Sequence, residues 1–158
     1  MMDSILEFSD AQSIATTPAT GGSDRIFNST NYIDIGGYIQ QPGRGRPIWI
    51  NVVVSTGFGG NPASTFLVYL QTGKTASRWA SGIIIASGNA SQFATAGETI
   101  CRISLPAAMG DAIDQIRYIG LVYRAQVGMK AGAVNAWLDI DGATGAHDTK
   151  RYGSISGE

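Results

Sequence analysis

Ile48-Trp49-Ile50-Asn51-Val52-Val53-Val54 alternates, with Ile48, Ile50, Val52 and Val54 on one face and Trp49, Asn51 and Val53 on the other. Successive side chains of an extended chain point to opposite sides, so this period of two predicts a strand with one face turned to a core. Its β-branched residues suit a pleated, half-buried surface. Gly57-Phe58-Gly59-Gly60-Asn61-Pro62 follows and predicts a break.

Working outward, the same kind of segment recurs between clusters of Gly, Pro, Asn and Ser. Residues 66–71, 82–86, 99–105, 116–124 and 133–140 read as strands, and 25–28 and 32–35 add two near the start. In 99–105, Cys101, Ile103 and Leu105 share one face; in 133–140, Val134, Ala136, Leu138 and Ile140 do. Residues 107–116 are the best helical stretch, with Pro106 suited to its first position, and would make one or two turns. Regularly spaced strands with almost no helical stripe predict an all-β, antiparallel β-sandwich rather than βαβ units. Periodicity does not separate a jelly roll from an immunoglobulin-like sandwich.

The chain of 158 residues suits one domain. Residues 25–141 are expected to form the sandwich. Residues 1–24 form an N-terminal arm poor in strand signals after Gln12, and 142–158 a flexible, Gly/Ser-rich C-terminal tail, free or ordered by a partner. Charged residues make up 15%, against about 25% in typical domains, and 11 Lys plus Arg nearly balance 12 Asp plus Glu. The net charge of −1 supplies no electrostatic pull toward nucleic acid or an anionic membrane, and neither is expected as a partner. No apolar run approaches the ~20 residues of a membrane span. With one cysteine and no signal-like opening, the chain reads as made in a reducing cytosol.

No catalytic residues, metal ligands or cofactor-binding residues are assigned. The one histidine, His147, lies in the tail, where it cannot be held in general-base geometry, and Cys101 sits on the apolar face of a strand. Gly73-Lys74-Thr75 has Val68 where a phosphate-binding loop needs its first glycine. Asp139-Ile140-Asp141-Gly142 lacks most of a calcium loop's ligands. The features left for function are contact features. Arg44 and Arg46, on a Gly/Pro loop, suit a solvated hairpin or an acidic patch on a partner protein. Trp49 and Trp137 fall out of phase with the apolar faces of their strands, at a subunit contact or under a neighbouring loop. Leu6, Phe8 and Asp10 alternate, and would point together toward a groove on a partner or cover this chain's own core.

The opening Leu6-Glu7-Phe8-Ser9-Asp10-Ala11-Gln12-Ser13, the run Ala15-Thr16-Thr17-Pro18-Ala19-Thr20 and Tyr32-Ile33-Asp34-Ile35-Gly36 come in a telling order. Together they resemble the N-terminus of the capsid cement (decoration) proteins of tailed bacteriophages, the Bordetella-phage type. The likeness continues more loosely as a strand pattern through 48–71, 99–105 and 118–140, and the tail after Asp141 departs from it. The resemblance implies a jelly roll on the outer surface of the virion that bridges neighbouring copies of the major capsid protein, with no catalysis. A homo-oligomer is expected with it, a dimer first and a trimer next. The competing expectation is a carbohydrate-binding sandwich of a phage fibre or lectin-like protein, signalled by exposed Trp and Tyr beside Asp and Asn.

Overall fold

The computed structural model describes residues 6–15, 24–34, 48–73, 82–104 and 118–139. They form nine strands: β1 (Glu7–Ser13), β2 (Arg25–Asn28), β3 (Ile33–Asp34), β4 (Trp49–Gly60), β5 (Thr65–Gly73), β6 (Ile83–Asn89), β7 (Thr99–Ser104), β8 (Tyr118–Ala125) and β9 (Met129–Asp139). A 3₁₀ turn, Ala90–Phe93, joins β6 to β7. The helical stretch expected over 107–116 and the tail lie outside the described residues.

The strands make two antiparallel sheets packed face to face, an all-β sandwich. One sheet has the order β1-β9-β4-β7; the other has β2-β8-β5-β6, with β3 also paired to β8. The pairs β1–β9, β2–β8, β4–β7 and β5–β6 are nested, like the two legs of one long hairpin whose tip lies between β5 and β6. The pairs β4–β9 and β5–β8 join one wrap of that hairpin to the next.

The core lies where the inner faces meet. Ile50, Val52 and Val54 of β4, Phe66 and Val68 of β5, Leu121 and Tyr123 of β8, and Val134 and Ala136 of β9 are all buried there. One end is filled by aromatic rings. Phe58 lies edge-on to Phe66 at 4.9 Å and to Phe93 at 5.6 Å, and Phe66 stacks on Tyr123 at 6.1 Å. Such pairs add to what burial alone contributes.

Two boundaries differ from expectation. The break predicted at Gly57 does not occur: β4 runs on to Gly60, with register shifts against β9 absorbing the glycines. Phe58 is why the strand continues, because its buried ring anchors the segment over the core. Glu7–Ser13, placed by the sequence in an arm, is instead a strand of the sandwich, paired along β9. Its apolar signal is short because two bulges break its alternation. One extra residue lies between Glu7 and Ser9, and another between Ser9 and Gln12, where Ala11 takes φ +43°.

Candidate interaction surface

The outward face of the β1-β9-β4-β7 sheet gathers the most distinctive side chains among the described residues. Antiparallel partners share a face, so register alone places Glu7, Trp137, Asn51 and Arg102 in one row across all four strands. Asp139, Trp49 and Ser104 form the next row. The alternation that sends Ile50, Val52 and Leu138 into the core sends Trp49, Asn51 and Trp137 outward.

Arg102 and Trp49 belong to adjacent rows, and the guanidinium lies over the indole at 4.9 Å. This is a cation–π contact that also fixes two long side chains in one arrangement. Trp137 is only 8% exposed although it lies outside the core cluster. Asn51 is buried too, and neither its Nδ2 nor the Nε1 of Trp49 has a hydrogen-bond partner among the described residues.

The sequence-derived candidates separate into three groups. Trp49 and Trp137 come together on neighbouring strands of this face. Leu6, Phe8 and Asp10 do not point together. Phe8 is fully buried in this chain's own core, Leu6 packs against that core, and Asp10 is exposed. The bulge at Phe8 is the reason, since it turns Phe8 and Ser9, adjacent in sequence, both inward. Phe8 therefore fills the core instead of reaching a groove on a partner. Arg44 and Arg46 lie outside the described residues, as do His147, Lys74 and Thr75.

Polar contacts from Ser9 and Gln12, for which the sequence assigned no structural role, hold β1 in place. Ser9 Oγ donates to Gln12 Oε1 (2.7 Å) and lies 2.9 Å from the Tyr123 hydroxyl of the opposite sheet. Gln12 Nε2 donates to the carbonyl of Asn28 at the end of β2 (2.6 Å), and Gln12 Oε1 also accepts from the backbone N–H of Thr30 (3.2 Å). The backbone N–H of Asn31 donates to the Phe8 carbonyl (2.9 Å). The segment Phe-Ser-Asp-Ala-Gln thus latches one sheet to the other. The only signal for this in the sequence is the polar pair Ser9 and Gln12 inside an otherwise strand-like opening.

Cys101 packs partly buried against the core, and burial pushes its thiol up to about 12. A thiol so shifted stays protonated and unreactive near neutrality. Among the described residues no three His, Cys, Asp or Glu side chains gather as a metal site, and no helix is long and apolar enough to cross a membrane. Compared with known protein families and with curated proteins, the chain finds no match.

Proposed function

We propose that this chain is a capsid decoration protein of a tailed bacteriophage, docking on the outside of the assembled shell and bridging neighbouring major capsid subunits. The observation that carries this reading is the half-buried pair Trp49 and Arg102, stacked on the face of the β1-β9-β4-β7 sheet turned from the core, with Trp137 buried beside them. Trp and Arg are enriched among the residues that dominate protein–protein binding energy. Two long side chains already stacked on each other, Arg102 on Trp49, would lose little further freedom on docking.

The fold supports the same reading. Strand orders 1-9-4-7 and 2-8-5-6, produced by one wrapped hairpin, support the jelly-roll variant of the sandwich. The segment that carries the family resemblance, Leu6–Ser13, is built into the sandwich as its latch. Each docked copy needs only a modest interface, on the order of 1,000 Å². Copies that engage two subunits at once gain avidity of ~10²–10⁴ over a single contact. Because they bind only the assembled shell, they stabilise it by mass action.

Cosedimentation with intact capsids of the phage that encodes the chain tests this function. Wild-type protein is expected to pellet with the shells. Trp49→Ala combined with Arg102→Ala is expected to abolish pelleting while circular dichroism stays unchanged. Protein that stays in the supernatant, or a double variant that binds like wild type, would overturn the reading. Trp49-dependent binding to an immobilised glycan in place of capsids would favour the carbohydrate-binding alternative.

A further inference from the structure

Two N–H donors lie close together on the outward face of the β1-β9-β4-β7 sheet. Trp49 and Asn51 are two residues apart on β4 and turn to the same side, with their Cβ atoms about 7 Å apart. Asn51 is 2% exposed, and among the described residues neither its Nδ2 nor the buried Nε1 of Trp49 has a hydrogen-bond partner. Register places larger neighbours around the amide. Trp137 of β9 and Arg102 of β7 flank Asn51 directly, and Trp49 stands in the next row. The short side chain therefore sits low between two indoles and a guanidinium.

Charge on this face is divided by β4. Glu7 on β1 and Asp139 on β9 lie to one side of it, and Arg102 on β7 lies to the other. Neither β4 nor β7 contains a carboxylate. The β4–β7 half of the face thus offers N–H donors beside a positive charge.

We propose that this half of the face is a socket for one carboxylate, an Asp or Glu side chain of the shell subunit on which the chain docks. The inference rests on the capsid reading and names the chemical group that docking recognises. Hydrogen bonds from N–H groups to an ionised carboxylate are roughly twice as strong as those between neutral groups. The two carboxylate oxygens can accept from Trp49 Nε1 and Asn51 Nδ2 together, while the guanidinium of Arg102, already over the indole, faces the charge. An apolar partner would leave both donors unpaired, and a Lys or Arg would meet Arg102 as a like charge. A neutral acceptor would leave the guanidinium without its complement. A carboxylate at the end of a side chain is also slender enough to pass between the larger groups that flank Asn51.

Cosedimentation of the full chain with intact shells tests the socket from both sides. Shells treated with carbodiimide and glycinamide carry neutral amides in place of surface carboxylates, and electron microscopy verifies that they remain whole. Wild type is expected to lose its binding to these shells and to keep it on shells acetylated at lysine. On the side of this chain, Trp49→Phe removes the indole N–H but keeps a ring under Arg102, and Asn51→Leu removes the amide but keeps its bulk. Each is expected to weaken binding by roughly tenfold or more, the worth of one hydrogen bond to a charged group, with circular dichroism unchanged. Asn51→Asp sets a like charge against the incoming carboxylate and is expected to abolish binding. The amidated shells alter nothing in this chain, so they decide the matter even where a variant misfolds. Wild type that binds amidated shells as well as untreated ones would overturn the socket and leave capsid docking standing. Folded Trp49→Phe and Asn51→Leu that bind like wild type would do the same. Protein that stays in the supernatant with untreated shells would overturn the docking itself, and the socket with it.

Discussion

The Ser9 and Tyr123 hydroxyls, 114 residues apart in the chain, lie 2.9 Å from each other in the buried space between the two sheets. Ser9 spends its one proton on Gln12 Oε1, so Tyr123 is the donor of the shared bond. The two substitutions are therefore unequal. Ser9→Ala strands a buried phenol proton and should cost about 1–3 kcal/mol, whereas Tyr123→Phe leaves Ser9 bonded to Gln12 and should cost about 0.5–1.5 kcal/mol. Urea denaturation of both variants checks the order. A larger loss for Tyr123→Phe would contradict this assignment of the donor.

Phe8 is the main apolar anchor of β1 and is fully buried. Phe8→Ala should lower stability by roughly 3–5 kcal/mol. The loss should appear in the isolated protein as a lower melting temperature, and the remaining folded fraction should bind partners normally. An unchanged melting temperature with weakened capsid binding would instead place Phe8 in an interface.

Gly132 holds φ +144°, and a Cβ there would lie 2.6 Å from Phe58 Cδ1 and 3.1 Å from Ile14 Cδ1. Both neighbours are buried core residues with little room to withdraw. Gly132→Ala should destabilise by about 1–3 kcal/mol through backbone strain and overpacking together. Thermal melts of Gly132→Ala beside Gly97→Ala provide the comparison. Gly97 has a positive φ but open space around its Cβ position, and its loss should be the smaller of the two.

Stability should fall on the alkaline side. Burial raises the Cys101 thiol to about 12 and also pushes the Tyr123 phenol well up. Unfolded, these groups ionise near about 8.5 and about 10, so above those values the unfolded chain releases protons that the folded chain keeps. The stabilisation is full below about pH 8.5 and is lost progressively as pH rises toward the folded values. Denaturant midpoints between pH 7 and 11 measure the decline. Cys101→Ala should delay its onset to the phenol range near about pH 10. A flat profile across that range would rule out both shifts.

Much of the sandwich is legible in period-two alternation. The strand around Ile50, Val52 and Val54 and the one around Val134, Ala136 and Leu138 appear where their apolar residues alternate. Their inward faces follow from that phase, and so does the outward position of Trp49 and Trp137. β1 was hidden because its two bulges reset the phase inside seven residues, so that Phe8 and Ser9 both turn inward. The glycines after Thr56 suggested a turn, yet Phe58 was already committed to a ring cluster with Phe66 and Phe93, which lie in other elements.

The sequence by itself determined where the regularly alternating strands lie and which face of each is apolar, because side-chain direction in an extended chain is a local property. Only the tertiary structure decided the partners: β9 beside β1, Arg102 over Trp49, Ser9 against Tyr123, and β6 left at an edge. Those choices depend on closing long loops against the packing of two sheets at once. No window along the chain contains that sum.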